Sequence, residues 1–144
     1  MSLQDPASKM SKSDSNENSY VLLMDKPDDI RRKFKRSVTD SIGIVNYTDE
    51  QPGVKNLINI YSKITGKSAE ETVLDYEGAG YAKLKEDVAE AVVEELRPIQ
   101  ERIDYLLKNK DYLEKIYSAG AQKADAAARK TLRKVQKKIG FIPR

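Results

Sequence analysis

One long stretch decides the fold class: YAKLKEDVAEAVVEELRPIQERIDYLL, residues 81–107. Its apolar side chains recur at steps of three and four residues, which places them on one face of an α-helix. Pro98 lies inside this pattern and predicts a kink or a restart, because proline removes a backbone hydrogen bond and crowds the carbonyl one turn back. The stretch therefore predicts a long amphipathic helix, whose apolar positions are Tyr81, Leu84, Val88, Val92, Leu96, Ile99, Ile103 and Leu106.

Two segments before this stretch also have helical patterns. In KPDDIRRKFKRSV, residues 26–38, Pro27 suits the first helical position, where its missing N–H is not needed. PGVKNLINIYSKITG, residues 52–66, has one apolar face, and Gly66 is placed to end the helix. The apolar stripe of the first segment, expected to be buried, consists of Ile30, Phe34 and Val38.

A short helix and a last long helix complete the predicted fold. Ser68 and Glu71 have capping-box spacing for the short helix. Asp111 can cap the last helix, in which the small residues Gly120, Ala124 and Ala128 would let a second helix approach closely. The sequence therefore predicts an all-α helical bundle that follows a polar N-terminal loop.

Composition excludes several classes of chemistry. The 144 residues contain no cysteine and no histidine, which removes disulfides, thiolate catalysis, the usual near-neutral acid–base group and the commonest metal ligand. The net charge is only +3, so a polyanionic partner must be met by a local patch. No apolar run approaches the ~20 residues that span a bilayer, and no interaction with a membrane is expected.

No metal site is predicted. The acidic residues of the long helix lie too close to core positions to hold a metal ion, and a solvated helix face is the better interpretation. These residues are Glu86, Asp87, Glu90, Glu94 and Glu95.

The N-terminal segment, residues 1–19, is rich in serine, lysine, aspartate and asparagine and predicts a loop. Because it has few apolar side chains to bury, we expect it to be the most mobile part of the chain. It contains Lys9 and Lys12, whose flexible stems can both reach a polyphosphate. Spacing alone leaves a solvated loop as the simpler explanation, because short motifs often match by accident.

Basic residues cluster in two places. Six of them form two adjacent rows with four-residue spacing on the last helix: Arg129, Lys130, Arg133, Lys134, Lys137 and Lys138. The second cluster is Arg31, Arg32, Lys33, Lys35 and Arg36. Both suit an RNA backbone, with an affinity that falls steeply with salt, but solvated helix faces would look the same.

The string Lys9-Met10-Ser11-Lys12-Ser13 resembles the KMSKS signature of class I aminoacyl-tRNA synthetases. The resemblance extends over essentially the whole chain and is to the tryptophanyl-tRNA synthetases. It is carried by SLQDPASKMSKSD, SYVLLMDKPDDIRRKFKRSVTDS, PGVKNLINIYSKITG, YEGAGYAKLKEDVAEAVVEELRPIQERIDYLL and GAQKADAAARKTLRKVQKKIGF. The choice over the related tyrosyl enzymes rests on PGVKNL and LRPIQER, neither of which chemically reads an amino acid.

The resemblance implies a role for each residue of the signature. Lys12 would contact the phosphates of ATP with Lys9 as its helper, and both would be catalytic. Ser11 and Ser13 would hydrogen-bond phosphate or hold the loop in shape, and Met10 would dock the loop on an apolar surface. Residues 1–25 would be the signature loop and a connector from a catalytic domain, and residues 26–144 an anticodon-binding-type helical domain.

The resemblance also implies the partners of the parent enzyme. It would use ATP with magnesium, activate tryptophan and transfer it to tRNA(Trp), as a homodimer in the cytoplasm. The six basic residues of the last helix would contact the tRNA. This chain lacks the nucleotide-binding half of the family, so the resemblance implies the C-terminal part of a synthetase, with no bound cofactor and no activity of its own.

Three alternatives remain at this point. The chain could be a free-standing helical module that binds RNA or protein, or the equivalent part of a tyrosyl-tRNA synthetase. A complete small ATP-using enzyme is the weakest alternative, because no phosphate-cradling glycine loop is present.

Overall fold

The computed structural model describes residues 1–141, and within them every regular element is helical. A 3₁₀ turn, Glu17–Ser19, precedes the first α-helix. The prediction of an all-α fold is confirmed. The α-helices in the described residues are α1 (Pro27–Lys35), α2 (Pro52–Thr65), α3 (Ala69–Asp75), α4 (Gly80–Lys108) and α5 (Lys110–Lys138).

Local signals in the sequence set most helix limits. Pro27 is the first residue of α1, as its missing N–H predicts. Gly66 ends α2 in the left-handed conformation with φ +77°, which a residue with a Cβ adopts only at a cost. Ser68 and Glu71 form the predicted capping box: Glu71 N–H donates to Ser68 Oγ at 3.1 Å, and Ser68 N–H donates to Glu71 Oε2 at 2.8 Å.

Helix α1 is shorter than its apolar pattern predicts. It ends at Lys35, and Ser37 turns the chain by donating its hydroxyl to Phe34 O at 2.7 Å. Ile30 and Phe34 are buried, but Val38 is 44% exposed, so its assignment to the buried stripe is wrong. The reason is tertiary: Val38 N–H donates to Leu3 O at 2.8 Å, which draws the chain away from the helical path.

The two long helices differ from the prediction at single residues. Helix α4 runs continuously through Pro98, so the expected restart does not occur. Pro98 and Glu94, one turn back, both lie in an exposed part of the helix, where water can satisfy a carbonyl that loses its bond. Helix α5 has Asn109 at its N-cap, and Asp111 lies in the first turn, so the assignment of Asp111 as the cap is wrong.

The chain divides into two compact units, residues 1–101 and Arg102 onward. The first unit contains a buried core built from α1, α2 and α4, together with Leu3, Val45 and Tyr76. In the second unit α5 has no buried residue among those described, and a Cβ at Gly120 would meet nothing within 4 Å. The largest fully buried apolar side chains are Phe34, Leu3, Ile30, Leu57, Ile58, Leu84, Val54 and Val88.

The N-terminal segment belongs to the first unit and packs against the rest of it at both ends. Leu3 is only 1% exposed and belongs to the core, and Ser2 and Ser19 are also buried. Asn56 of α2 donates to the carbonyls of Met1 and Ser2 at 3.2 Å each. The expectation that residues 1–19 have little to bury is therefore wrong at these ends, because one leucine and a few backbone bonds are enough to anchor them.

No helix in residues 1–141 is both long and apolar enough to cross a membrane.

Candidate functional site

The signature residues lie on a loop whose two ends are joined. Leu3 N–H donates to Ser19 O at 2.9 Å, which closes residues 3–19 at the base. Leu3 O in turn accepts from Val38 N–H, so the closed base is attached to the segment that follows α1. Closure at the base reduces the conformations open to the loop and fixes the place from which it extends.

Short-range hydrogen bonds shape the loop around the signature. Ser13 N–H donates to Ser11 Oγ at 3.3 Å, and Asp14 N–H donates to Ser11 O at 3.2 Å. Asn16 N–H donates to Asp14 Oδ1 at 2.8 Å and lowers the pKa of the Asp14 carboxyl. These turns are the kind that serine and aspartate make with their own backbone. Ser11 therefore contributes to the shape of the loop.

Lys9 and Lys12 are exposed, as are Ser11 and Ser13. Among the ion pairs of residues 1–141, none involves either lysine. Two flexible ammonium groups are therefore available to an anionic ligand. A polyphosphate fits this donor set, because lysine is a compact cation with three donors.

Met10 is the one residue of the signature that packs against the core. It lines a hollow of about 230 Å³ whose walls are almost wholly apolar. This packing fixes the middle of the loop against the chain's own helices, while the lysines on either side stay exposed. The other residues of the hollow are Val21, Leu22, Leu23, Phe34, Ile60, Val92 and Leu96.

The segment that leads out of the loop is held by a buried ion pair. Lys33 Nζ lies 2.6 Å from Asp25 Oδ2, and the same oxygen accepts from Leu22 N–H at 2.9 Å. Lys33 also lies over the ring of Tyr20, 5.1 Å from its centroid. Sequence reasoning missed this contact and placed Lys33 in a cluster that suits either an RNA backbone or a solvated face. Its position, three residues after Ile30 and next to Phe34, was the signal that it lies on the buried side of α1.

A second attachment of the same segment comes from α4. Gln100 Nε2 donates to Leu23 O at 2.8 Å and to Asp25 O at 3.0 Å. The sequence gives no sign of this contact, because a glutamine on an amphipathic helix is as common in solvent as in contact with another segment.

The basic cluster at the C-terminal end of α1 does not form a free cationic face. Arg31 makes a bidentate pair with Glu90, at 2.6 and 2.9 Å, and also contacts Asp28. The hydrogen bonds with Glu90 raise the pKa of Arg31, and those with Arg31 lower the pKa of Glu90. Arg32 pairs with Asp29 at 2.7 Å. With Lys33 buried, three of the five cations are paired with carboxylates, so this cluster is not a row of unpaired positive charge.

The acidic group on α4 is largely engaged as well. Asp87 accepts from Tyr76 and from Lys83, and Glu94 pairs with Arg97 at 2.6 Å. Asp87 and Glu90 thus link α4 to Tyr76 and to α1, whereas Glu94 pairs within α4 and stays exposed. Within residues 1–141 no group of three or more Asp and Glu side chains is arranged to hold a metal ion.

The six basic residues at the end of α5 are all exposed. Arg129 pairs with Asp125 at 2.6 Å, four residues earlier. For the other five, Lys130, Arg133, Lys134, Lys137 and Lys138, residues 1–141 provide no ion pair. This end of α5 therefore presents a row of positive charge.

Comparisons with known proteins point to one family. Residues 1–97 match the family model described as tRNA synthetases class I (W and Y). The tryptophan–tRNA ligase of Clostridium perfringens is 64% identical over 144 residues, which is 100% of this chain and 43% of that protein. That of Listeria monocytogenes is 50% identical over 142 residues, 98% of this chain and 43% of that protein.

A solved structure agrees with these matches. The crystal structure of tryptophanyl-tRNA synthetase from Mycoplasma pneumoniae superposes with a TM-score of 0.75 at 27% identity, over 99% of this chain and 45% of that one. The chain thus spans less than half the length of the relatives that it matches. The family model, the relatives and the shared fold agree that the chain belongs to the class I tRNA synthetases of the tryptophan and tyrosine group.

Proposed function

We propose that the chain is the C-terminal part of a tryptophan–tRNA ligase, the enzyme that activates tryptophan with ATP and transfers it to tRNA(Trp). The relatives reported above carry that name at up to 64% identity, which favours tryptophan over tyrosine as the amino acid. In this proposal residues 1–25 are the signature loop and connector of a catalytic domain, and residues 26–144 form the tRNA-binding helical domain. The whole enzyme acts in the cytoplasm as a homodimer.

The observation that carries the proposal is the pair of exposed lysines, Lys9 and Lys12, on a loop anchored by Met10 and closed at its base. ATP brings three phosphates and a magnesium ion to such a loop. Ser13 can add a hydroxyl contact to phosphate, whereas Ser11 already accepts a hydrogen bond within the loop.

The chemistry explains why cations are needed at this place. The tryptophan carboxylate attacks the α-phosphorus of ATP, the aminoacyl-adenylate forms, and pyrophosphate leaves with the electrons of the broken P–O bond. Lys12, with Lys9, would stabilise the negative charge that develops on the leaving pyrophosphate. A cation that meets charge appearing only in the transition state accelerates the reaction more than it tightens ATP binding.

The basic end of α5 would contact the tRNA. Five cations there have no ion pair within residues 1–141, and phosphate contacts by lysine and arginine position an RNA without reading its sequence. Reading of the anticodon bases would need side chains that stack on them or hydrogen-bond to them.

Exchange of labelled pyrophosphate into ATP tests the proposal. A longer protein that contains this chain should catalyse exchange that depends on tryptophan and not on tyrosine. The 144-residue chain by itself should catalyse none. Tryptophan-dependent exchange by the isolated chain would contradict the assignment as a C-terminal part, and tyrosine-dependent exchange by the longer protein would contradict the choice of amino acid.

A free-standing helical module that binds RNA or protein is the second candidate. It is favoured by α5, whose described residues include exposed apolar side chains such as Ile116 and Leu132 beside the basic row. The genomic reading frame upstream of Met1 separates the candidates. An open frame encoding a nucleotide-binding domain supports the ligase, and a stop codon supports the module.

A further inference from the structure

Gln100 of α4 reaches back to the segment that leads out of the signature loop. Its side-chain amide donates to two carbonyls, Leu23 O at 2.8 Å and Asp25 O at 3.0 Å. One amide group thus holds two backbone positions that are 77 and 75 residues away in sequence. Such a contact fixes the segment against α4 in one orientation.

The segment has few other means of attachment. Residues 20–25 form no helix or strand, and the side chains of Leu22, Leu23 and Met24 are between 43% and 56% exposed. Val21 packs against the core and Tyr20 is partly buried, but the packing of Leu22, Leu23 and Met24 does not determine where they lie. Their backbone is instead held by the amide of Gln100 and by the Asp25 carboxylate, which is paired with Lys33.

This segment and the signature line the same apolar hollow. Leu22, Leu23 and Met10 are all among the residues that line it. Met10 lies between Lys9 and Ser11. A shift of Leu22 and Leu23 therefore changes the surroundings of the residue that anchors the lysines. The path from Gln100 to Met10 therefore runs through the backbone of Leu23 and the hollow that both Leu23 and Met10 line.

We propose that Gln100 is a positioning residue for the signature loop. Through Leu23 and Met10 it holds Lys9 and Lys12 in position. This inference rests on the proposed function, because the lysines need an exact position only if they meet a reacting phosphate. A displacement of about 1 Å far from the reacting atoms can cost about 100-fold in rate.

The test uses the longer protein that contains this chain, and compares Gln100→Glu with Gln100→Lys. Glutamate has nearly the same shape but replaces the donor with oxygen atoms that face two carbonyl oxygens. Lysine keeps a donor at a similar length. Gln122→Glu is the matched control, because it makes the same change at an exposed position of α5.

The readouts are kcat and KM for pyrophosphate exchange, the fraction of active sites by burst titration, and the midpoint of urea unfolding. We expect Gln100→Glu to lower kcat per active site by about 10-fold to 100-fold. KM for tryptophan should not change, Gln100→Lys should restore much of kcat, and Gln122→Glu should match the unchanged protein.

Three outcomes would overturn the inference. If the unchanged protein has no tryptophan-dependent exchange, both the proposed function and the inference fail. If the unchanged protein is active and Gln100→Glu has the same kcat per active site, only the inference fails. The same holds if both Gln100 variants lose active sites and unfolding midpoint together while kcat per remaining site stays constant, since the role of Gln100 is then merely structural.

Discussion

Lys33 Nζ lies 2.6 Å from Asp25 Oδ2, and the two side chains are only 5% and 13% exposed. An ion pair so far removed from water costs desolvation energy on both sides, and losing one partner leaves an uncompensated charge. The pair joins α1 to the segment that leaves the signature loop. Its removal should therefore affect both the stability of the fold and the loop.

Lys33→Met should lower the free energy of unfolding by about 3–5 kcal/mol, because Asp25 then stays buried without a cation. The double change Lys33→Met with Asp25→Asn should recover part of that loss, since asparagine can still accept from Leu22 N–H. Urea unfolding measures both. Arg32→Met is the control: its pair with Asp29 is about half exposed and should be worth about 0–1 kcal/mol. Equal losses for Lys33→Met and Arg32→Met would show that the buried pair contributes no more to the free energy of unfolding than the exposed pair.

Gly53→Ala should destabilise the protein by about 1–3 kcal/mol or more, the usual cost of overpacking. Gly53 is buried in the first turn of α2, and a Cβ there would lie 2.1 Å from Val38 O, a backbone atom. The same segment holds Leu3 through the Val38 N–H, so the signature loop should also loosen.

Gly120→Ala provides the opposite case in α5. A Cβ at Gly120 meets nothing within 4 Å, so alanine should stabilise the helix by about 0.5–1 kcal/mol through lower backbone entropy. Thermal unfolding followed by circular dichroism measures the stability of Gly53→Ala and of Gly120→Ala. If Gly120→Ala is destabilising, another element must pack against α5 in solution.

Lys12→Ala, in the longer protein, should slow adenylate formation far more than it weakens ATP binding. The loss of one transition-state contact typically costs about 2.7–4 kcal/mol, as judged from single oxyanion-hole donors. Steady-state exchange kinetics separate the two effects, and Lys63→Ala, an exposed lysine of α2, is the control. An unchanged kcat with a raised KM for ATP would assign Lys12 to ground-state binding instead.

Arg133→Glu with Lys137→Glu should weaken tRNA binding and flatten its salt dependence. Each phosphate that a protein neutralises on a duplex adds about 0.9 to the slope of log affinity against log salt, so a slope of about two to four is expected when only some of the six cations face the RNA. Titration of tRNA at several salt concentrations measures it. Lys63→Glu with Lys67→Glu makes the same charge change on the first unit. Equal effects of the two double variants would mean that only net charge matters, and the basic row would then be a solvated face.

The sequence by itself determined the local features of this protein. Pro27, Gly66 and the pair Ser68 and Glu71 predicted helix limits correctly, because each acts on its own backbone within one turn. The strings that resemble the tryptophanyl-tRNA synthetases indicated the family, because a resemblance between sequences does not depend on which distant residues meet in the fold.

Only the tertiary structure decided which residues that are distant in sequence contact each other and which enter the core. Lys33 is buried with Asp25 rather than exposed to RNA, and Leu3 enters the core while Val38 leaves it. Gln100 binds carbonyls more than 70 residues away. Side-chain periodicity fixes which face of a helix is apolar, but it carries no information about which polar group of another segment will meet that face. That choice depends on the packing of the whole unit.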